Sequence, residues 1–126
     1  MIGAIIYGAL AADGTVAGLV GGRIYPEQAP DEADLPLVVY TVKMGETSPG
    51  TAPMWPVTVT VNSYAATDAA AETLTAAVQA ALDGFDGVDA SYLVRALFLS
   101  DYGELRDQDV SIWGRLATFT GWVVRR

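Results

Sequence analysis

The chain of 126 residues contains no cysteine and no histidine. Without cysteine it has neither disulfides nor thiolate metal ligands. Without histidine it lacks the side chain most often used as a general base near neutral pH. Lys43 is the only lysine, so a serine nucleophile has few possible activating partners. These absences argue against nucleophilic catalysis.

Positive charge is also scarce. The net charge is −8 and the pI is near 4.1. Only the terminal pair Arg125 and Arg126 places basic residues together, whereas proteins that grip a phosphate backbone cluster Lys and Arg. An acidic surface repels DNA, so specific nucleic-acid binding is excluded.

Long hydrophobic runs are missing as well. The N-terminal stretch is strongly apolar, but Asp13 and Gly14 interrupt it and no basic residue precedes Arg23. It therefore fits neither a membrane span nor a secretory signal, and we expect two short helices and no membrane contact. With 52% apolar residues and this length, we expect one folded domain over residues 1–126.

Helical periodicity marks three segments. The first helix carries the apolar stripe Ile2, Ile5, Ile6, Ala9 and Leu10. Thr15 is the expected N-cap of the second helix, and the pair Gly21–Gly22 is its expected end. The third is expected to begin at Thr67 or Asp68 and to end at Gly84. Its stripe is Ala70, Leu74, Ala77, Val78, Ala81 and Leu82.

Strand-like patterns occupy four segments, residues 37–42, 57–62, 92–100 and 110–124. Residues 23–25 form a brief extended segment. The proline- and glycine-rich segment 44–56 is expected to be a loop, and residues 101–109 a hairpin connection. The order of elements predicts an α+β fold, with a four-stranded, mainly antiparallel sheet and helices packed on one face.

No motif for cofactor or metal binding is present. Gly21–Gly22 follows a helix and precedes a strand, the reverse of a phosphate-binding glycine loop. The acids of segments 27–34 and 101–109 do not match the calcium-loop pattern, and acids in loops are usually solvated. We expect no cofactor, no metal and no catalytic residue.

Two tryptophans bear on function. Trp122 lies among apolar neighbours in a predicted strand, which indicates a core position. Trp55 lies between Met54 and Pro56 in the predicted loop, where a large apolar group is harder to bury. It either folds back onto its own domain or anchors a contact with another protein.

Several segments together resemble a known family. They are "LVGGRIYPEQAP", "LPLVVYTV", "VTVTVNSYA" and "AAVQAALDG", followed by two closing strands. This pattern, over nearly the whole chain, is similar to the tail-completion family of long-tailed bacteriophages, also called tail terminator or head–tail joining proteins.

The resemblance implies a structural virion protein without a cofactor. Six subunits would form a ring at the head-proximal end of the tail tube, where they end tube growth. The ring would contact the major tail tube protein and the head-completion or connector protein, and DNA would pass through it without specific binding. Such proteins are made in the host cytoplasm, reside in the neck of the virion and need not form rings until a tube end is offered.

Candidate interface and channel residues follow from this. The interface candidates are Met54, Trp55, Asp101, Glu104, Asp107 and Asp109. The candidates for acids facing the channel are Glu27, Asp31, Glu32 and Asp34. Two alternatives remain: another neck or tube ring protein of related fold, and a small acidic enzyme or ligand-binding domain that uses carboxylates.

Overall fold

A computed structural model describes residues 2–30, 34–45, 54–88, 92–107 and 112–125. The helices are α1 (Ile2–Ala12), α2 (Gly14–Val20) and α3 (Asp68–Leu82). The strands are β1 (Ile24–Pro26), β2 (Leu37–Met44), β3 (Met54–Ala65), β4 (Phe85–Val88), β5 (Tyr92–Asp107) and β6 (Ile112–Arg125).

The first two helices meet at Asp13. Its carboxylate accepts hydrogen bonds from the backbone N–H groups of Thr15 and Val16, so Asp13 is the N-cap of α2. The expectation that Thr15 fills this position is wrong, because the helix begins at Gly14, two residues before the start that a Thr15 cap would give. The predicted glycine end is confirmed. Gly21 has φ +60°, the left-handed conformation that glycine adopts at helix ends.

The third helix is capped at its N-terminus by the Thr67 hydroxyl, which accepts from the Ala70 N–H. Its last residue is Leu82, and the predicted glycine stop at Gly84 is confirmed. Asp83 is the C-cap, and Gly84, with φ +78°, turns the chain so that its N–H reaches the Leu97 carbonyl. The predicted stripe is partly wrong, because Ala70 is exposed. The buried face is Ala71, Leu74, Thr75, Ala77, Val78 and Leu82.

The sheet has six strands, in the order β1-β2-β3-β6-β5-β4. Every pair is antiparallel except β1 with β2. The α+β class and the mainly antiparallel sheet are confirmed, but the count of four strands is wrong. β1 was predicted only as a brief extended segment at residues 23–25, and β4 was missed; they are three and four residues long, too short for a periodic pattern. They form because neighbouring strands supply their hydrogen bonds.

Two strands extend into segments predicted as loops. β3 begins at Met54, and β5 continues to Asp107. Pro56 is tolerated within β3 because β2 ends opposite Val57, so no β2 residue pairs with it. On that side the Pro56 carbonyl instead accepts from the Gly45 N–H. The predicted loop 44–56 and hairpin 101–109 were therefore both too long.

The sheet has one covered face and one open face. Along β3, Val57, Val59 and Val61 are buried and alternate with half-buried polar residues. The three valines share a core with buried residues of all three helices, such as Ile6, Val20 and Leu74. The helices thus pack on one face, as predicted, and no helix among the described residues packs on the other, which is called the open face below.

Candidate interaction surfaces

Trp55 lies in β3 and not in a loop. Its backbone pairs with Val123 of β6, and its half-buried ring packs against the core. The guanidinium carbon of Arg125 lies 5.3 Å from the centre of the ring, within the range of a cation–π contact. Met54, also half-buried, precedes it in the strand. The loop placement is wrong because pairing with β6 continues to Met54.

Trp122 is the more exposed of these two tryptophans. It lies on the open face of β6 with 42% of its surface accessible, so the prediction of a core position is wrong. The apolar neighbours that suggested burial, Val123 and Val124, follow Trp122 in the sequence. Because side chains alternate along a strand, Val123 points to the opposite face. Arg95 of β5 pairs directly with Trp122. The ring and a cation thus share one stretch of open surface.

The acids of segment 101–109 do not form a hairpin loop. Asp101 is exposed on β5, and its carboxylate accepts the N–H of Tyr102 at 2.8 Å. Glu104 and Asp107 also belong to β5, where their backbones pair with Arg115 and Ile112. Asp109 lies outside the described residues.

Two acids of segment 27–34, Glu27 and Asp34, belong to the described residues that follow β1 and precede β2 at the opposite side of the sheet. Glu27 follows β1, is exposed and has φ +68°, with its N–H donating to the Tyr40 carbonyl. Asp34 is exposed ahead of β2. Asp31 and Glu32 lie outside the described residues. Among the part of the chain that is described, no group of three acids, histidines or cysteines could hold a metal ion.

A buried cation holds α3 to the sheet, and sequence reasoning missed it. The Arg115 side chain in β6 is only 8% exposed. One of its terminal nitrogens pairs with the carboxylate of Asp68, the first residue of α3, and the other donates to the Tyr102 hydroxyl at 3.3 Å. The sequence signal was present, since an arginine at an inward position of a strand needs a partner.

Tyr40 is a second buried polar group. Its ring lies against Tyr7 of α1, with centroids 6.5 Å apart. Burial, and to a smaller extent the neighbouring Tyr7, raises the pKa of the Tyr40 hydroxyl above its ordinary value. The shift keeps this phenol neutral, so it offers no activated base.

A groove of 420 Å³ runs between α3 and β5. Leu99 and Tyr102 form the strand side, and both are exposed. Glu72, Thr75 and Gln79 line the helix side, together with Ala76. The Thr75 hydroxyl is buried with no hydrogen-bond partner among the described residues. The groove is shallow and mostly apolar, which fits a protein contact better than a small substrate.

The family comparison decides the identity. The model of the family described as "Tail completion protein gp17" matches residues 4–123. The chain belongs to this family. It is therefore a structural tail protein of a phage or phage-like virion, which confirms the resemblance seen in the sequence.

A solved structure supports the fold of this tail completion protein. A chain of the virion of a native gene transfer agent particle has a TM-score of 0.83 and 23% sequence identity. The match covers 96% of the present chain and 92% of the other. No curated protein matches the chain.

The N-terminal helices of the tail completion protein are short and apolar. Within the described residues, no single helix is long and apolar enough to cross a bilayer. The bent pair α1 and α2, at 86°, meets the requirement only in length and composition.

Proposed function

We propose that this tail completion protein forms a ring, of six subunits by the family resemblance, at the head-proximal end of the tail tube. There it ends tube growth and joins the tail to the head. The observation that carries the proposal is the family match over residues 4–123, which leaves almost no part of the chain for another function. The ring's partners are the major tail tube protein and a head-completion or connector protein.

The surface of the subunit supports an assembly role. Exposed large apolar side chains are concentrated on β4, β5 and β6, namely Val88, Phe98, Leu99, Tyr102 and Trp122. Trp and Tyr are enriched where proteins meet, and a ring subunit needs two different patches for its two neighbours. Among the tryptophans, Trp122 now fits such a contact better than Trp55, because the ring of Trp55 packs against its own core.

The acids contribute a second part of the proposal. Glu27 and Asp34 are exposed, and the chain as a whole carries a charge of −8. If these acids line the inner channel with Asp31 and Glu32, DNA meets a surface that repels it and slides without binding. An enzymatic role has less support, because the chain has no histidine or cysteine and its described acids do not converge.

Electron microscopy of particles made without this gene tests the proposal. We expect filled heads beside detached tails, some of them abnormally long, and recovery when the wild-type gene is supplied from a plasmid. Detached tails of normal length would instead indicate another neck component. Joined particles of normal length would refute both a terminator and a joining role.

A further inference from the structure

Trp122 and Arg95 form an exposed pair on the open face of the sheet. They are directly paired residues of β6 and β5, so their side chains leave the sheet on the same side. Trp122 is 42% exposed, and Arg95 is exposed as well. Arg95 has no ion pair among the described residues. An indole ring, whose N–H is a hydrogen-bond donor, thus lies beside a cation without a partner.

The groove between α3 and β5 opens on the other side of the sheet. Leu99 and Tyr102 form its strand wall, and they are paired with the core residues Phe119 and Ala117 of β6. The Tyr102 hydroxyl accepts from Arg115 at 3.3 Å, which holds this wall in place. The single subunit therefore already contains an apolar groove of 420 Å³, large enough for an indole ring.

The groove contains a polar group without a partner. Thr75 of α3 lines the groove, is 2% exposed and has a hydroxyl with no hydrogen-bond partner among the described residues. A buried unpaired hydroxyl is unfavourable, and a donor that enters the groove would remove this penalty. Threonine in a helix has two accessible χ1 rotamers, so the hydroxyl can turn towards such a donor.

The groove is also negatively charged. Its lining residues include no basic side chain, and a carboxylate lies at each of its ends. Glu72 lines the end near the start of α3. Asp83 follows the last turn of α3, where it accepts from the Leu99 N–H at 2.9 Å. Because that hydrogen bond already fixes the Asp83 side chain, it loses little freedom when it binds a cation.

We propose that Trp122 of one copy inserts into this groove of a second copy, and that Arg95 beside it pairs with Asp83 at the end of the groove. The indole N–H then donates to the Thr75 hydroxyl. The contact joins the open face of one subunit to the helix-covered side of the next, and contacts between unlike surfaces can repeat by rotation until a ring closes. This inference rests on the proposed ring function and names the surfaces that build the ring.

The partner is a second copy because the chain carries both halves of the contact. The pair on the open face supplies an aromatic ring, an N–H donor and a positive charge. The groove supplies apolar walls, an acceptor and a negative charge. Tryptophan and arginine are also enriched among the residues that dominate the energy of protein contacts. Within one copy the pair cannot reach the groove, because the sheet lies between them.

Cysteine cross-linking tests the contact, since the natural chain has no cysteine. The double variant Ala76→Cys with Thr120→Cys leaves the tryptophan and the arginine intact. Ala76 is an exposed residue of the groove, and Thr120 is exposed on the same face of β6 as Trp122. When purified tails and joined particles are treated with a short bismaleimide, we expect a ladder of covalent oligomers on denaturing gels. Particles that contain a mixture of the two single variants should give dimers and nothing larger.

A matched control is Ala76→Cys with Thr41→Cys. Thr41 is exposed on the same open face, but it lies on β2, two strands and roughly 10 Å from β6, so no ladder is expected. A ladder from the control pair, or none from the first pair in normal joined particles, would overturn the contact and leave the terminator role intact. Linkage to another virion protein alone would overturn it equally. Circular dichroism and melting verify the fold, and a misfolded double variant is replaced by Gln79→Cys with Thr120→Cys.

A double-mutant cycle in the cysteine background tests the ion pair. Arg95→Gln and Asp83→Asn should each lower the yield of the ladder several-fold, and the two changes together should lower it no further than either alone. Asparagine at position 83 keeps an oxygen that can accept from the Leu99 N–H. Glu72→Gln removes the same charge at the other end of the groove and should leave the yield unchanged. Additive losses, or an equal loss in Glu72→Gln, would overturn the pairing of Arg95 with Asp83.

A second cycle tests the hydrogen bond of the indole. Trp122→Phe keeps an aromatic ring but removes the N–H, so it should lower the yield of the ladder several-fold. In the presence of Thr75→Val, which removes the accepting hydroxyl, Trp122→Phe should make no further difference. An equal effect of Trp122→Phe with and without Thr75→Val would show that this hydrogen bond does not form.

Discussion

At the scale of single residues, Trp55 and Trp122 show that the same type of side chain can serve two different purposes. Trp55 and Trp122 lie on adjacent paired strands, but the alternation of side chains sends them to opposite faces. Trp55 packs against the core beneath Arg125, whereas 42% of the Trp122 surface is open to solvent. The first contributes to folding, and the second is available for contact.

We therefore expect the two alanine variants to differ. Trp55→Ala should lower the free energy of unfolding by about 2 kcal/mol, because it removes apolar contacts and leaves a space beside the core. Trp122→Ala should change it by less than about 1 kcal/mol but reduce the joining of tails to heads. Urea unfolding measures the first effect, and counting of joined particles measures the second. Equal loss of stability in both variants would contradict this division.

At the scale of elements, α3 is tied to the sheet at both ends. At its N-terminus, Asp68 pairs with the buried Arg115 of β6. At its C-terminus, the Asp83 carboxylate accepts from the Leu99 N–H, and Gly84 donates to the Leu97 carbonyl. These polar contacts fix the position of α3 on the sheet. Apolar packing alone would allow the helix to slide along the sheet.

Asp68→Asn should weaken the N-terminal attachment. The change removes the negative charge paired with a buried guanidinium and the favourable charge at the helix N-terminus. Because the Asp68 side chain is 52% exposed, we expect a loss of only about 1 kcal/mol in the free energy of unfolding. Glu72→Gln, an exposed change on the same helix, is the matched control and should have almost no effect. Equal values for the two variants would show that the ion pair contributes nothing.

At the scale of the whole molecule, the two sides of the sheet differ in their exposed apolar side chains. Glu27 and Asp34 lie near the β1 edge, whereas the exposed apolar residues concentrate towards the β4 edge. A subunit with two unlike sides is what a closed ring requires, because each contact joins one side to the other.

If the acids near β1 line the channel, reversing their charge should retard DNA. Particles that carry Glu27→Lys with Asp34→Lys should assemble but release DNA more slowly, because cations bind the phosphate backbone. The delay should shrink at high salt, which screens the attraction. Glu72→Lys, an exposed change on α3, shifts the net charge in the same direction and is the control for altered charge. Release at the wild-type rate in normal salt would mean that these acids do not face DNA.

Features that depend on residues close together in the chain were predictable from the sequence, whereas features that depend on contacts between distant segments were not. Helix α2 and its glycine end were predictable because helical periodicity and glycine helix ends act within a few residues, although the N-cap was placed at Thr15 instead of Asp13. The α+β class and the family were also accessible, since the alternation of Val57, Val59 and Val61 and the order of elements are written along the chain. The strand β4, and the pairing of the extended segment at β1 with the sheet, were not predictable, because three or four residues carry no periodic signal.

The sequence by itself determined the charge, the absence of histidine and cysteine, the helical stripes and the family. Only the tertiary structure decided that Trp55 faces the core and that Trp122 faces outward. It also decided that Arg115 pairs with Asp68 and that β1 and β4 are the two outer strands of the sheet. The physical reason is that these features depend on register. Which residues pair across strands is set by the packing of segments far apart in the chain, and one residue of shift would reverse every face.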